Sequence, residues 1–74
     1  MVVEVKLFAT FRENRFKEKE MELPEGSSAA EVLAHLKIPQ DQLGILLVNG
    51  RDASLDRKLA PNDVVSIFPA IGGG

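Results

Sequence analysis

The chain has 74 residues, room for one domain near the lower limit at which a hydrophobic core holds a fold without disulfides or metals. Eleven acidic and nine basic residues leave a net charge of -2, which argues against a general nucleic-acid or membrane-surface binder. With no cysteine, the chain forms no disulfide, offers no thiolate to a metal and carries no sulfur on a thiol.

Residues 2 to 9 alternate, with Val3, Val5, Leu7 and Ala9 on one side and Glu4, Lys6 and Phe8 on the other, the period-2 pattern of a half-buried strand. Glu4 and Lys6 also interrupt the N-terminal apolar residues. Neither a signal peptide nor a membrane span is expected, and the expected location is the cytoplasm. After a polar stretch around Phe11, alternation resumes from Phe16 to Leu23, with Glu18, Glu20 and Glu22 opposite Lys17, Lys19, Met21 and Leu23. A strand this charged belongs at a sheet edge, where charge discourages pairing with another chain; an acidic docking face is the other reading.

Pro24-Glu25-Gly26 breaks that strand, and Ser28 with Glu31 has capping-box spacing, so a helix starts there. Ala29, Val32, Leu33 and Leu36 form one apolar stripe, and Pro39 is expected to stop the helix after about ten residues. His35 lies well off the centre of the stripe with no ligand-type residue beside it and reads as a solvated helix residue. Ile45 to Val48 reads as a buried central strand that turns at Asn49-Gly50, the dipeptide suited to a type I′ hairpin. Arg51 to Ser54 is a short return segment, and Leu55 and Leu59 are spaced to anchor the next loop. Pro61-Asn62-Asp63 turns the chain into a last strand, Val64 to Pro69, with Val65 and Ile67 opposite Val64, Ser66 and Phe68.

Strand, strand, helix, strand, short strand, strand is not βαβ alternation; it fits an α+β domain with one helix packed across a mixed sheet. The long connection containing the helix allows the first and last strands to pair in parallel. The domain is expected over residues 1–69, with residues 70–74 as a flexible tail, since Gly72, Gly73 and Gly74 maximise backbone freedom. Six extended residues reach about 20 Å, enough to enter another protein's active site. The ionised terminal carboxylate is a poor electrophile until a partner enzyme converts it, with ATP, to an acyl-adenylate open to a sulfur nucleophile. Such a thiocarboxylate carries sulfur without cysteine. A glycine-rich end alone is equally what an idle, frayed terminus presents.

Leu7-Phe8-Ala9 with Arg12-Glu13, then Leu47-Val48-Asn49-Gly50, Leu59, Asp63 and the Phe68 to Gly74 tail together resemble the MoaD/ThiS family of sulfur carriers nearly end to end. The resemblance implies a ubiquitin-like β-grasp fold. It further implies adenylation of Gly74 by an enzyme of the ubiquitin-activating type that uses ATP, and conversion to a thiocarboxylate; Gly73 and Gly74 match the family's terminal pair. No cofactor bound to the chain is implied. Leu7-Phe8-Ala9, Arg12-Glu13 and Pro69 resemble the molybdopterin branch more than the thiamin branch, which implies docking on the large subunit of molybdopterin synthase rather than on thiazole synthase. Arg51 and Asp52 depart from that branch, which often places apolar residues after the turn.

Phe8 and Phe68 fall on the outward sets of neighbouring strands, so together with Pro69 and Ile71 they are the expected partner-binding residues. The alternative is that the loop around Phe11 or Phe16 partly covers the two rings. No nucleophile, metal cluster or acid-base pair at catalytic spacing is evident, so the chain reads as a protein co-substrate or small non-catalytic subunit rather than an enzyme. Competing readings are a thiamin thiazole sulfur carrier, a ubiquitin-like modifier joined to lysines, and a plain interaction module with an idle tail.

Overall fold

Alternation along Val2–Leu7 (β1) drives Val3, Val5 and Leu7 fully into the core, while Glu4 and Lys6 remain on the other face. The computed structural model describes residues 1–70, so Ile71, Gly72, Gly73 and Gly74 lie outside the described residues. The remaining elements are β2 (Glu18–Glu22), α1 (Ala29–Leu36), β3 (Leu43–Val48), β4 (Arg51–Asp52) and β5 (Val64–Pro69), with short 3-10 helices at Ala9–Arg12 and Gln40–Gln42. They form a five-stranded sheet in the order β2-β1-β5-β3-β4. β1 and β5 are parallel, and the other neighbours are antiparallel. This is a ubiquitin-like β-grasp: α1 buries Ala29, Val32 and Leu33 against Val3, Val5, Leu46, Val48, Val65 and Ile67 in one core.

The charged strand β2 is an edge, as its composition predicts. Its register with β1 puts Met21 beside Val3 and Lys19 beside Val5 on the core side, and Glu18, Glu20 and Glu22 on the outer face. It begins at Glu18 rather than Phe16, because the Lys17 carbonyl accepts the last bond from β1, Leu7 N–H at 2.9 Å. Phe16 packs instead against the side of the core.

Ala9 does not continue the inward row. Its φ of 53° takes the chain out of the sheet, leaves its own side chain exposed and starts the 3-10 helix that buries Phe11. An alanine tolerates this left-handed conformation only at some cost, and burial of the phenylalanine offsets it.

The helix is eight residues long and stops before Pro39 is reached. Lys37 adopts a φ of 58°, Lys37 N–H donates to Ala34 C=O at 3.1 Å, and Ile38 N–H donates to Leu33 C=O at 3.0 Å. That is a Schellman ending with a lysine where glycine is usual, locked by the buried Ile38–Leu33 pair. At the other end Ser28 N–H donates to the Glu31 carboxylate at 3.4 Å, the backbone half of the capping box. Ala29 and Ala30 donate to the carbonyls of Arg57 and Leu55 at 3.0 and 2.9 Å, so the loop anchored by buried Leu59 caps the helix.

β3 is not a buried central strand; β5 is the central one. β4 covers only Leu47 and Val48 of β3, and Ile45 on the outer face is 51% exposed. A run of apolar residues cannot by itself distinguish a strand buried on both faces from one whose outer face is left open.

Candidate functional site

The outer face of the sheet is unlike at its two ends. Pairing of Glu4 with Val64 and of Leu7 with Ile67 sets β1 and β5 in the register that brings Phe8 beside Phe68. Their rings stack with centroids 4.1 Å apart and planes 8° from parallel. Phe8 N–H donates to Ile67 C=O at 3.2 Å, which holds its backbone to β5 as β1 ends. Ile45, paired with Phe68, extends the apolar band onto β3, and Leu47, paired with Ser66, lies on the same face.

Arg12 crosses this band. Its guanidinium carbon lies 5.2 Å from the Phe8 ring centroid, and its Nε donates to Leu7 C=O at 2.7 Å. The left-handed turn at Ala9 and the single 3-10 turn that follows carry Arg12 back to this place. The alternative that the loop around Phe11 partly covers the rings is met at Phe8, since Arg12 of that loop lies over its ring, while Phe11 and Phe16 themselves pack on the core. Phe8 and Phe68 therefore keep part of their surface open while staying rigidly held, the combination that suits an aromatic docking anchor.

The opposite end of the face is acidic. Glu4 pairs directly across from Glu20, and a hydrogen bond with Glu18, together with the charges of Glu18 and Glu20, holds the Glu4 carboxyl above its usual range. Aromatic and acidic ends thus share one surface, separated by Lys6 and Ser66.

Pro69 closes β5 opposite Leu43, and Ala70 N–H donates to Gln42 C=O at 2.9 Å. Only Pro69 separates Phe68 from Ala70. Ile71, the fourth expected partner-binding residue, the expected adenylated residue Gly74 and the tail residues Gly72 and Gly73 lie outside the described residues.

Sequence reasoning gave no role to three features near this site. Arg12 was legible only as part of a motif. Gly44 is a glycine inside an apolar strand pattern, a recognised sign of a bulge or close backbone approach. The third is a polar tie at the start of β5: Asn49 Nδ2 donates to Asp63 Oδ1 at 2.9 Å, Val64 N–H to Asn49 Oδ1 at 2.9 Å and Ala60 N–H to Asp63 Oδ2 at 2.8 Å. The Ala60 amide first, and the Asn49 amide next, hold the Asp63 carboxyl below its ordinary value of 3.8.

Among the described residues, no group of three or more His, Asp or Glu side chains is placed to hold a metal ion, and no helix is long and apolar enough to cross a membrane.

Known proteins share this fold. A model of the ThiS family matches residues 5–74. The putative molybdopterin converting factor subunit 1 from Pyrococcus furiosus is 32% identical, with a TM-score of 0.79 over 96% of this chain and 99% of that one. Two further structures share the fold at lower identity. Small archaeal modifier protein 1 of H. volcanii is 21% identical, with a TM-score of 0.77 over 95% of this chain and 98% of that one. Molybdopterin-converting factor from Helicobacter pylori, solved as a complex of subunits 1 and 2, gives 21% identity and a TM-score of 0.67 over the whole of both chains. No curated protein matches the sequence. With the family match running from β1 to the final glycine on this fold, the chain belongs to the ThiS family, the MoaD/ThiS group of ubiquitin-like sulfur carriers.

Proposed function

We propose that this protein carries sulfur as a thiocarboxylate on Gly74 and donates it in molybdopterin biosynthesis, without catalysing any step itself. A Gly74 carboxylate oxygen attacks the α-phosphorus of ATP in the active site of an adenylating enzyme of the ubiquitin-activating type, and pyrophosphate leaves. A hydrosulfide-type nucleophile then adds to the acyl carbon, AMP leaves with the original oxygen, and the carbonyl re-forms as a thiocarboxylate. Loaded carrier next docks on the large subunit of molybdopterin synthase, whose groups perform the transfer. ATP belongs to the activating enzyme.

The observation that carries this reading is the partly exposed Phe8–Phe68 stack on the strand that leads into the three glycines. Such a stack docks the domain while the following residues enter a partner's active site. The likeness to the Pyrococcus furiosus protein supports the molybdopterin branch over thiamin thiazole synthesis.

Incubation with ATP, the activating enzyme and a sulfur source is expected to raise the intact mass by about 16 Da, the exchange of oxygen for sulfur. An unchanged mass would sink the proposal. Covalent conjugates in cell extracts that vanish on deletion of Gly74 would assign the protein a modifier role instead.

A further inference from the structure

At Gly44 the pairing of β3 with β5 slips: Leu43 faces Pro69 and Ile45 faces Phe68, so three residues of β3 lie against two of β5. Glycine is needed there for space. A methyl group on Gly44 would sit 2.6 Å from the Pro69 carbonyl oxygen and 2.8 Å from both the Pro69 carbonyl carbon and the Ala70 nitrogen. Carbon atoms in good contact stand about 3.5–4.0 Å apart, and all three neighbours are backbone, so no change of rotamer relieves the overlap. Beside this contact the Ala70 amide donates to Gln42 C=O at 2.9 Å. Pro69 has no N–H, so that bond is the last backbone tie among the described residues.

We propose that Gly44 is a positioning residue for the reactive end of the chain: by letting the Pro69–Ala70 peptide lie directly on β3, it sets where and at what angle the chain leaves the domain relative to the Phe8–Phe68 stack. The inference rests on the carrier reading above.

A side chain at position 44 cannot push β5 aside as a unit. Val65 and Ile67 are fully buried and paired with Val48 and Leu46, so the strand is held along its length. What yields is Pro69–Ala70, held by one pairing and one hydrogen bond. The aromatic stack keeps its place while the root of the last four residues moves. Displacing a reacting group by about 1 Å costs as much as 100-fold in rate, and once the stack is docked the point where the chain leaves the domain limits where its end can reach. Docking and reactivity should therefore separate.

The test is steady-state ATP–pyrophosphate exchange by the activating enzyme, with the full-length protein as the varied substrate and melting temperature recorded for each variant. For Gly44→Ala, kcat is expected to fall about tenfold or more while KM stays within about twofold, the signature of a lost transition-state geometry rather than lost docking. A kcat within about twofold of the unaltered protein, or a loss confined to KM, would overturn the inference. Should Gly44→Ala fail to fold, Ala70→Pro removes the bond to Gln42 without adding an atom at position 44. It is expected to show the same split, and an unchanged kcat would overturn the inference equally. Absence of exchange with the unaltered protein overturns the carrier reading and this inference with it; exchange without the split overturns only the role of Gly44.

Discussion

At the start of β5 the strand is secured by side chains, and at its end by backbone contact and stacked, partly exposed rings. Asp63 and Asn49 close a ring of charge-assisted and amide hydrogen bonds, and Asp63 is only 8% exposed. At the far end, among the described residues, no side chain ties Pro69 and Ala70 through hydrogen bonds; Gly44 and the Gln42 carbonyl receive their backbone while Phe68 stacks outward on Phe8. A polar lock of the first kind stabilises the hairpin and responds to pH. An end of the second kind keeps part of its aromatic surface open. On the proposed carrier reading, the difference separates folding from docking along six residues of one strand.

If the division holds, changes at the two ends should move different observables. The largest effect is expected beyond the strand: deleting Gly73-Gly74 should abolish the mass gain with ATP, activating enzyme and sulfur source while leaving the melting temperature unchanged. Retained loading would break the comparison outright. Next, Phe68→Ala should weaken binding to the activating enzyme by about 2–4 kcal/mol, read by calorimetric titration, since a rigid aromatic at the centre of an interface typically carries that much. A loss too small to measure would remove the stack from the docking surface.

Asp63→Ala should act the other way, costing about 1.5–3 kcal/mol in urea unfolding, the range for hydrogen bonds to a charged group, with affinity for the enzyme unaltered. The same carboxylate supplies a pH signature. Its folded pKa lies below the ordinary 3.8, so its contribution is fully present above pH 3.8 and is lost as pH falls through the lower folded value. Urea midpoints of the unaltered protein should therefore drop in that acid window, and the drop should shrink in Asp63→Ala. Equal drops would place the acid sensitivity elsewhere. Smallest of all, Arg12→Ala should reduce partner affinity by about 0.5–1 kcal/mol by removing the cation over Phe8; a gain in affinity would show that Arg12 shields the ring instead.

Much of this was readable before folding. The period of two along Val2–Leu7 and Val64–Pro69, the charges of β2 and the helical stripe from Ala29 each report a local preference for one face, and the structure places those residues accordingly. The outward placement of Phe8 and Phe68 follows from the same alternation. Failures came where a neighbour decided. Ala9 breaks the alternation because Phe11 must reach the core, and α1 stops at Lys37 because Ile38 packs on Leu33. β3 is open on one face because α1 packs only on the other, with Leu46 and Val48.

The sequence by itself determined the order of elements and most of the inward and outward sets, because each depends on local periodicity or residue type. Only the tertiary structure decided that Phe8 and Phe68 stack, that Arg12 lies over Phe8 and that Gly44 lies against Pro69 and Ala70. Those contacts join residues far apart in the chain, and their geometry depends on strand register and on the left-handed turn at Ala9, which no short window of sequence contains.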